Sequence, residues 1–418
     1  MSSVTAPDLS ALVRSLDGAG EVREAGPEDT VDGVPAAVVA RPTTVEAVSA
    51  LLRTATGQGL VTVARGAGTA LGWGCPPERV DLLLDTRGLD RLVEHESGDL
   101  VVVAEAGLAL RDLQAHVGRA EQELVADVPR QRLEGGSTVG GALATGASGV
   151  RRLQRLALRD LVLGTTVVLA DGTVASSGGK VVKNVAGYDL AKLMTGAYGT
   201  LGVIVRAAFR LHPMRPARAY VLWTGPLAEV AERARAVVAS QLAPAAVEID
   251  RPAGADEATL AVLLEGTDDA VAARAADAAT LVGGTVGEEP AWWARLPDGD
   301  VLAKATATLT GVADLLAAAR AAEQAHGAGV ALRGTAAGVL HAGITAPDAA
   351  ALAGVVAGLR AAAPSPREGT VTVLSAPAAL REGLDVWGPV GGLELMRAVK
   401  QRLDPGRHLA PGRFVGGI

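Results

Sequence analysis

Three glycine-rich runs punctuate the first half of the chain: VARGAGTALGWG at residues 63–74, EGGSTVGGALATGASG at 134–149 and GAYGTLGVIV at 196–205. Glycine lets backbone approach another group with no side chain between them, and ordering it carries a large entropy loss. Three such runs are more than turns between strands require. The first follows an apolar strand-like stretch, so a strand delivers a tight, backbone-exposing loop. A dinucleotide on a Rossmann fold is the obvious test, and that fold needs G-x-G-x-x-G with a helix starting inside the motif. Gly66 and Gly68 fill the first two places, but the third is Leu71, and the following GWGCPPERV carries Pro76 and Pro77, which bar the helix. The Rossmann reading fails. A nest of consecutive backbone N–H groups remains possible, with Gly66, Ala67, Gly68, Thr69, Ala70 and Gly72 suited to a diphosphate and the Thr69 hydroxyl as an extra donor.

At 418 residues the chain is too long for one ordinary core, and two domains are expected. Residues 36–41 read as a strand, 45–52 as an amphipathic helix opened by a threonine cap, and 60–64 as a second strand. Together they make a βαβ-like unit that feeds the first glycine loop. Strands are expected at 81–85 and 100–105, a helix at 108–117, and a hairpin at Asp171-Gly172. After residue 217 the texture changes. Strands and amphipathic helices alternate twice in a split-βαβ order, which predicts an antiparallel sheet with helices on one face. The division expected is a helical lead-in at 1–33, a first domain at 34–215, an α+β second domain at 216–385, and a helix with a tail at 386–418. The fold class is α+β.

Net charge −7 and pI near 5.5, with no basic stripe, exclude nucleic acid as the main partner. One cysteine, Cys75, excludes an internal disulfide framework and a four-cysteine cluster. No stretch reaches the roughly 20 apolar residues of a membrane helix, and the N-terminus lacks signal-peptide character. A cytoplasmic protein is expected, peripheral to a membrane only through partners. The six histidines, at 95, 116, 212, 326, 341 and 408, stand isolated, and no metal spacing appears.

The second and third glycine runs turn a weak nest into a larger expectation. Ser137, Thr138, Thr145 and Ser148 add hydroxyl donors without charge, and the whole set suits a ligand with a diphosphate and planar rings. In this order, RGAGTALGWG, STVGGALATGASG and VVKNVAGYDLAKLMTGAYGTLGVIV resemble the FAD-binding domain of the vanillyl-alcohol oxidase/PCMH-type flavoproteins. Within that superfamily, KNVAGYDL and the tail LDPGRHLAPGRF are most similar to the smaller FAD-binding chain of the glycolate oxidase complex, the GlcE type. The resemblance implies a PCMH-type FAD-binding domain of two α/β subdomains, and an α+β cap with ferredoxin-like split βαβ units. It implies that Arg65, Gly66, Ala67, Gly68, Thr69, Ala70, Leu71 and Gly72 wrap the FAD pyrophosphate. By the same resemblance Ser137, Thr138, Val139, Gly140 and Gly141, with Thr145, Ala147, Ser148 and Gly149, line the flavin and diphosphate. Gly199, Thr200, Leu201, Gly202 and Val203 are implied to meet the adenosine half through backbone, and Lys183, Asn184, Gly187 and Tyr188 to lie near the cofactor. Relatives with covalent FAD carry a histidine in the first loop. Thr69 stands there, so non-covalent FAD is expected.

Oxidising a 2-hydroxy acid needs a cation for the carboxylate and a group to take the hydroxyl proton. The related catalytic subunits carry a histidine- and aspartate-containing motif in the cap. The nearest feature here is GVLHAGI with His341, preceded by Arg333, and the aspartate, asparagine and second histidine are missing. A lone histidine in an apolar strand is more often packed than reacting, and Arg333 has a solvated-surface reading of equal weight. The Trp292-Trp293 pair reads as core or interface, and Cys75 as a small packed residue. Arg413, in the PGRF tail, is a third catalytic candidate, although Ala410 departs from the tail pattern. The resemblance implies two partners, a paralogous flavin subunit and an iron–sulfur subunit. Three readings stand: an FAD-binding subunit of a glycolate-type dehydrogenase complex, a self-sufficient FAD oxidoreductase, and a flavin-free assembly scaffold.

Overall fold

The computed structural model describes residues 7–180, 189–363 and 368–418. The first sheet holds β1 (Gly20–Glu24), β2 (Thr30–Val31), β3 (Val34–Pro42), β4 (Thr62–Arg65) and β5 (Val80–Asp85), in the order β1-β3-β5-β4 with β2 on β3. The β3, β5 and β4 strands run parallel, so a crossover helix is needed, and Val45–Gly57 supplies it. Thr44 caps that helix by accepting from the Ala47 N–H, and its Val48, Leu51 and Leu52 are buried. β5 is buried along its whole length, as a central parallel strand must be. The lead-in is more than the expected helix. After Leu9–Leu16 it adds β1 and β2, both antiparallel to β3. GEVRE has one apolar side chain, Val22, and so offers no alternation to read.

The second sheet contains β6 (Leu92–Glu96), β7 (Val101–Glu105), β9 (Val162–Val168), β10 (Val174–Gly178) and β11 (Val203–Arg210), in antiparallel order β10-β9-β11-β7-β6. Two short strands, β8 (Gln122–Glu123) and β12 (His212–Pro213), pair with each other. The β9–β10 hairpin turns at Asp171-Gly172, with Gly172 at φ 84°. Inside the second glycine run a short helix, Val139–Ala144, forms where the sequence reads as loop. Thr138 caps it, and Gly140 packs so close to Ala106 that a Cβ would collide. Close packing overrides the poor helix propensity of two glycines.

The cap is one eight-stranded antiparallel sheet of β13 (Ala217–Pro226), β14 (Ala246–Arg251), β15 (Glu257–Gly266), β16 (Thr285–Gly287), β17 (Val301–Ala307), β18 (Gly329–Thr335), β19 (Val339–Thr345) and β20 (Gly369–Ser375). Its order is β16-β13-β15-β14-β18-β19-β17-β20. Helices Leu227–Ala239, Asp268–Val282, Val312–His326 and Ala349–Ala361 share one core with the sheet through Val247, Ile249, Ala303, Leu340 and Ala342. Strand alternation sends the intervening residues, Glu248, Lys304 and His341 among them, to the opposite face. That face meets the glycine loops.

Arg151 clamps cap to first domain, with Nη1 donating to Glu123 (2.8 Å) and Glu265 (3.3 Å) and Nη2 to Asp127 (2.7 Å). The helix Leu393–Leu403 and the tail return to the first sheet: Thr62 donates its N–H to the His408 carbonyl (2.7 Å), and the Thr62 carbonyl accepts from Ala410 (2.9 Å). Buried Lys400 fixes the turn by donating to Asp404, to the Thr200 carbonyl and to the Leu409 carbonyl at 2.6–2.8 Å.

Candidate functional site

β4 ends at Arg65 and the chain leaves it as the first glycine loop. The N–H groups of Gly66, Ala67, Gly68, Thr69 and Ala70 find no acceptor among the described residues. Gly68, at φ 79°, has open space where a Cβ would stand. Five free amides in succession form an anion-receiving nest. The loop's exit is held by Arg413, whose Nη2 donates to the carbonyls of Leu71 (2.8 Å) and Trp73 (2.7 Å). This is a role for the tail arginine that spacing alone does not reveal. Arg65 turns its guanidinium away, onto Asp29 (3.0 Å) and Asp85 (3.5 Å), so what it offers the loop is backbone.

The loop walls a cavity of about 520 Å³ that Thr138, Gly141, Thr145, Arg132, Tyr198 and Arg413 also line. A Cβ on Gly66 would run into Thr138 Oγ1, so the first two glycine runs touch, and only glycine permits it. Arg132, Thr145 and Tyr198 also line a second cavity of about 950 Å³, where Gly146, Ala147 and Ser148 meet Trp73, Trp387, Phe414 and the cap residues Lys304, Thr306 and His341. The two spaces form one trough running from the nest to the open face of the cap sheet. Gly146 and Gly196, at φ 59° and 82°, pass each other closely beside it. Tyr198 sits at the junction with φ 55°, a strained value for an aromatic residue, and packs against Trp387 and Phe414.

Not every expected residue reaches this trough. Val139 and Gly140 are buried within their short helix, and Ser137 is buried with Oγ unpartnered. Gly199, Thr200, Leu201, Gly202 and Val203 line neither cavity; Thr200 turns its carbonyl to Lys400. Lys183, Asn184, Gly187 and Tyr188 lie outside the described residues. Trp293 is core, edge-on to Tyr220. Arg333 is engaged by Asp250 (2.6 Å) and the Leu296 carbonyl (3.1 Å), so it is neither a surface charge nor a free cation.

Four site residues escape a reading by motif: Arg132, Arg152, Lys304 and Glu248. Arg132 is 4% exposed, stacks over Trp73, and leaves Nε and Nη1 without partners. Burial pulls its guanidinium down to about 10. Lys304 stands opposite His341 across β17 and β19, and His341 stands opposite Arg333 across β19 and β18. Residues directly opposite in antiparallel strands share a face. Burial lowers Lys304, and burial together with Lys304, Arg132 and Arg152 holds His341 down to about 3. His341 is therefore neutral at pH 7, with a ring nitrogen able to accept a proton. The alternation VLAKATAT could have placed Lys304 on the His341 face, but only once the strand pairing was known.

The trough fits a large ligand with a diphosphate and a planar ring system. The nest supplies donors for the former, and glycine backbone flanked by Tyr198, Trp387 and Phe414 suits the latter. Buried Ser137 Oγ, Ser148 Oγ, Arg132 Nε and Arg413 Nη1 await acceptors. No group of three or more metal-ligating side chains occurs among the described residues, and no described helix is long and apolar enough to cross a membrane.

Residues 35–178 match the family model described as FAD binding domain. Among curated relatives, D-lactate dehydrogenase of Archaeoglobus fulgidus is 35% identical over 211 residues, covering 50% of this chain and 46% of the relative. Glycolate oxidase subunit GlcD of Bacillus subtilis is 30% identical over 221 residues (52% and 46%). Glycolate oxidase subunit GlcE of Escherichia coli is 38% identical over 130 residues (31% and 37%). These matches span about half or less of each relative's length. The fold is that of 4-ethylphenol oxidase from Gulosibacter chungangensis, with TM-score 0.71 at 16% identity over 98% of both chains. It is shared with p-cresol methylhydroxylase, at TM-score 0.69 and 16% identity over 97% of this chain and 92% of that one. Residues 35–178 are thus an FAD-binding domain, and the chain carrying them has the PCMH-type flavoprotein fold.

Proposed function

We propose that this chain is the FAD-binding subunit of a 2-hydroxy-acid dehydrogenase complex of the glycolate type, and that it holds FAD without a covalent bond. Thr69 in the first loop is no flavin-tethering side chain, which supports the second part. Bound FAD would supply the two-electron acceptor. The protein's share is to place an acid against it and manage one proton. Lys304 and Arg132 offer the acid's carboxylate uncompensated positive charge. Neutral His341 offers the hydroxyl proton an acceptor. Trp387, Phe414 and the cap sheet exclude water from the space between.

One observation carries this reading: the Lys304–His341 pair lies on the cap face that closes the trough leading from the amide nest. Similarity to both glycolate oxidase subunits supports a place in a complex, and a chain with one cysteine would depend on a partner for an iron–sulfur carrier. That lone cysteine also fits a reducing, cytoplasmic setting. The same Lys304–His341 pair favours a second reading, in which the chain oxidises a small acid by itself. Anaerobic spectroscopy of the FAD-loaded protein with glycolate, D-lactate and related acids separates the two. Bleaching only after partner subunits are added supports the complex, and bleaching by this chain alone supports self-sufficiency. A protein that takes up no FAD contradicts both and leaves an assembly scaffold.

A further inference from the structure

The trough continues past His341. Beyond it, His341, Val339, Ser148 and Pro129 are shared with a further chamber of about 460 Å³. Two side chains on its wall lack what buried charges normally have. Glu248 is 4% exposed, and its Oε1 has no hydrogen-bond partner. Arg152 has no carboxylate within ion-pair distance among the described residues, whereas the other arginines of this wall do: Arg295 on Glu134 and Arg333 on Asp250. The helix Arg152–Arg155 packs on β14, so Glu248 and Arg152 share this chamber without pairing. A buried carboxyl and a guanidinium left apart forfeit a strong charge-assisted bond. Such an arrangement persists where a ligand completes both.

The chemistry of the two groups specifies that ligand. Arg152 presents only donors. Burial, with Asp127 nearby, raises Glu248 well above the usual carboxylate range, against weaker opposition from Thr335 and Arg152. A carboxyl so held is neutral and donates its O–H. Both groups therefore present donors, and a carboxylate, which only accepts, answers both. This chamber lies on the side of His341 away from Lys304, which lines only the larger cavity. An acid with its hydroxyl at His341 and its first carboxylate toward Lys304 would extend its remaining carbons into the chamber. Glycolate has none to extend, and lactate has one methyl.

Resting on the 2-hydroxy-acid reading, we infer that the chamber receives a second carboxylate on Arg152 and Glu248, so that the substrate is a 2-hydroxy dicarboxylic acid.

The test is equilibrium binding to the FAD-loaded protein, read by calorimetry and by the shift of the visible flavin bands. The probes are 2-oxo monoacids (glyoxylate, pyruvate) and 2-oxo diacids (oxaloacetate, 2-oxoglutarate). Diacids are expected to bind at least about tenfold tighter to the unaltered protein, a comparison that needs no variant to fold. Arg152→Met is expected to abolish that preference. Glu248→Gln, which keeps an N–H donor, should largely preserve it, and Glu248→Ala should weaken it. Equal affinity for both classes in the unaltered protein would overturn the inference while leaving the 2-hydroxy-acid reading intact. Failure of both classes to bind would overturn that reading and the inference with it.

Discussion

Lys304 and His341 face each other across β17 and β19, with Arg333 flanking His341 on β18, in a polar row on a sheet whose other face is entirely aliphatic core. The row exists because each strand alternates, and all the cap helices take the same side. It gives the FAD-binding domain a chemically active lid, built from residues far downstream of the glycine runs.

Acid stability reports on His341. Its folded pKa, about 3, lies below an unfolded value near 6.5. The unfolded chain therefore binds the extra proton first, and the stability contribution is complete above pH 6.5 and is lost as pH falls toward 3. His341→Gln removes that dependence. Urea melts of the two proteins are expected to converge by up to about 2 kcal/mol between pH 7 and pH 5, at 1.36 kcal/mol per unit.

Gly66→Ala places a methyl group against Thr138 Oγ1. The two glycine runs must separate, and overpacking of this kind costs about 1–3 kcal/mol. FAD affinity measured by flavin fluorescence is expected to fall roughly tenfold to a hundredfold, given 1.4 kcal/mol per decade. Adding Thr138→Ala removes the obstructing hydroxyl and should recover part of the loss, though Thr138 also caps Val139–Ala144. No recovery would place the damage elsewhere.

Arg151→Met leaves Glu123, Asp127 and part of the Glu265 environment without their shared cation. Breaking a buried network from one side costs about 3–5 kcal/mol. Arg155 and Arg218 still reach Glu265, at 3.4 and 3.1 Å, which puts the expected loss toward the lower end. Chemical denaturation measures it. Exposure of the domain junction to limited proteolysis should rise in parallel.

Arg413→Lys tests the tail's grip on the first loop. A lysine is a point donor and cannot reproduce the planar fork that joins the carbonyls of Leu71 and Trp73. FAD affinity should drop while the melting temperature changes little, because the substituted contact orders a loop rather than a core.

The glycine nest and the cap's strand–helix order were legible because each rests on a local rule: amide exposure needs glycine, and alternation marks a strand. His341 was legible as a candidate and Arg413 as a tail residue near the first loop, yet Arg413's grip on Leu71 and Trp73 depends on tertiary contact. Arg132 reads in PRQRLEGG as one of several solvated charges, and only the fold buries it over Trp73. Glu248 and Arg152 meet through packing between a short helix and a strand far along the chain, and no spacing rule encodes that. The helix Val139–Ala144 was hidden by its own glycines.

The central claim is that the trough between nest and cap holds one FAD without a covalent bond. Titrating apo-protein with FAD while following tryptophan fluorescence tests it directly, because Trp73 and Trp387 line the trough. The account requires saturable quenching at one FAD per chain, with all flavin released to the supernatant on acid precipitation. Absence of quenching, or flavin retained on the precipitated protein, would contradict it.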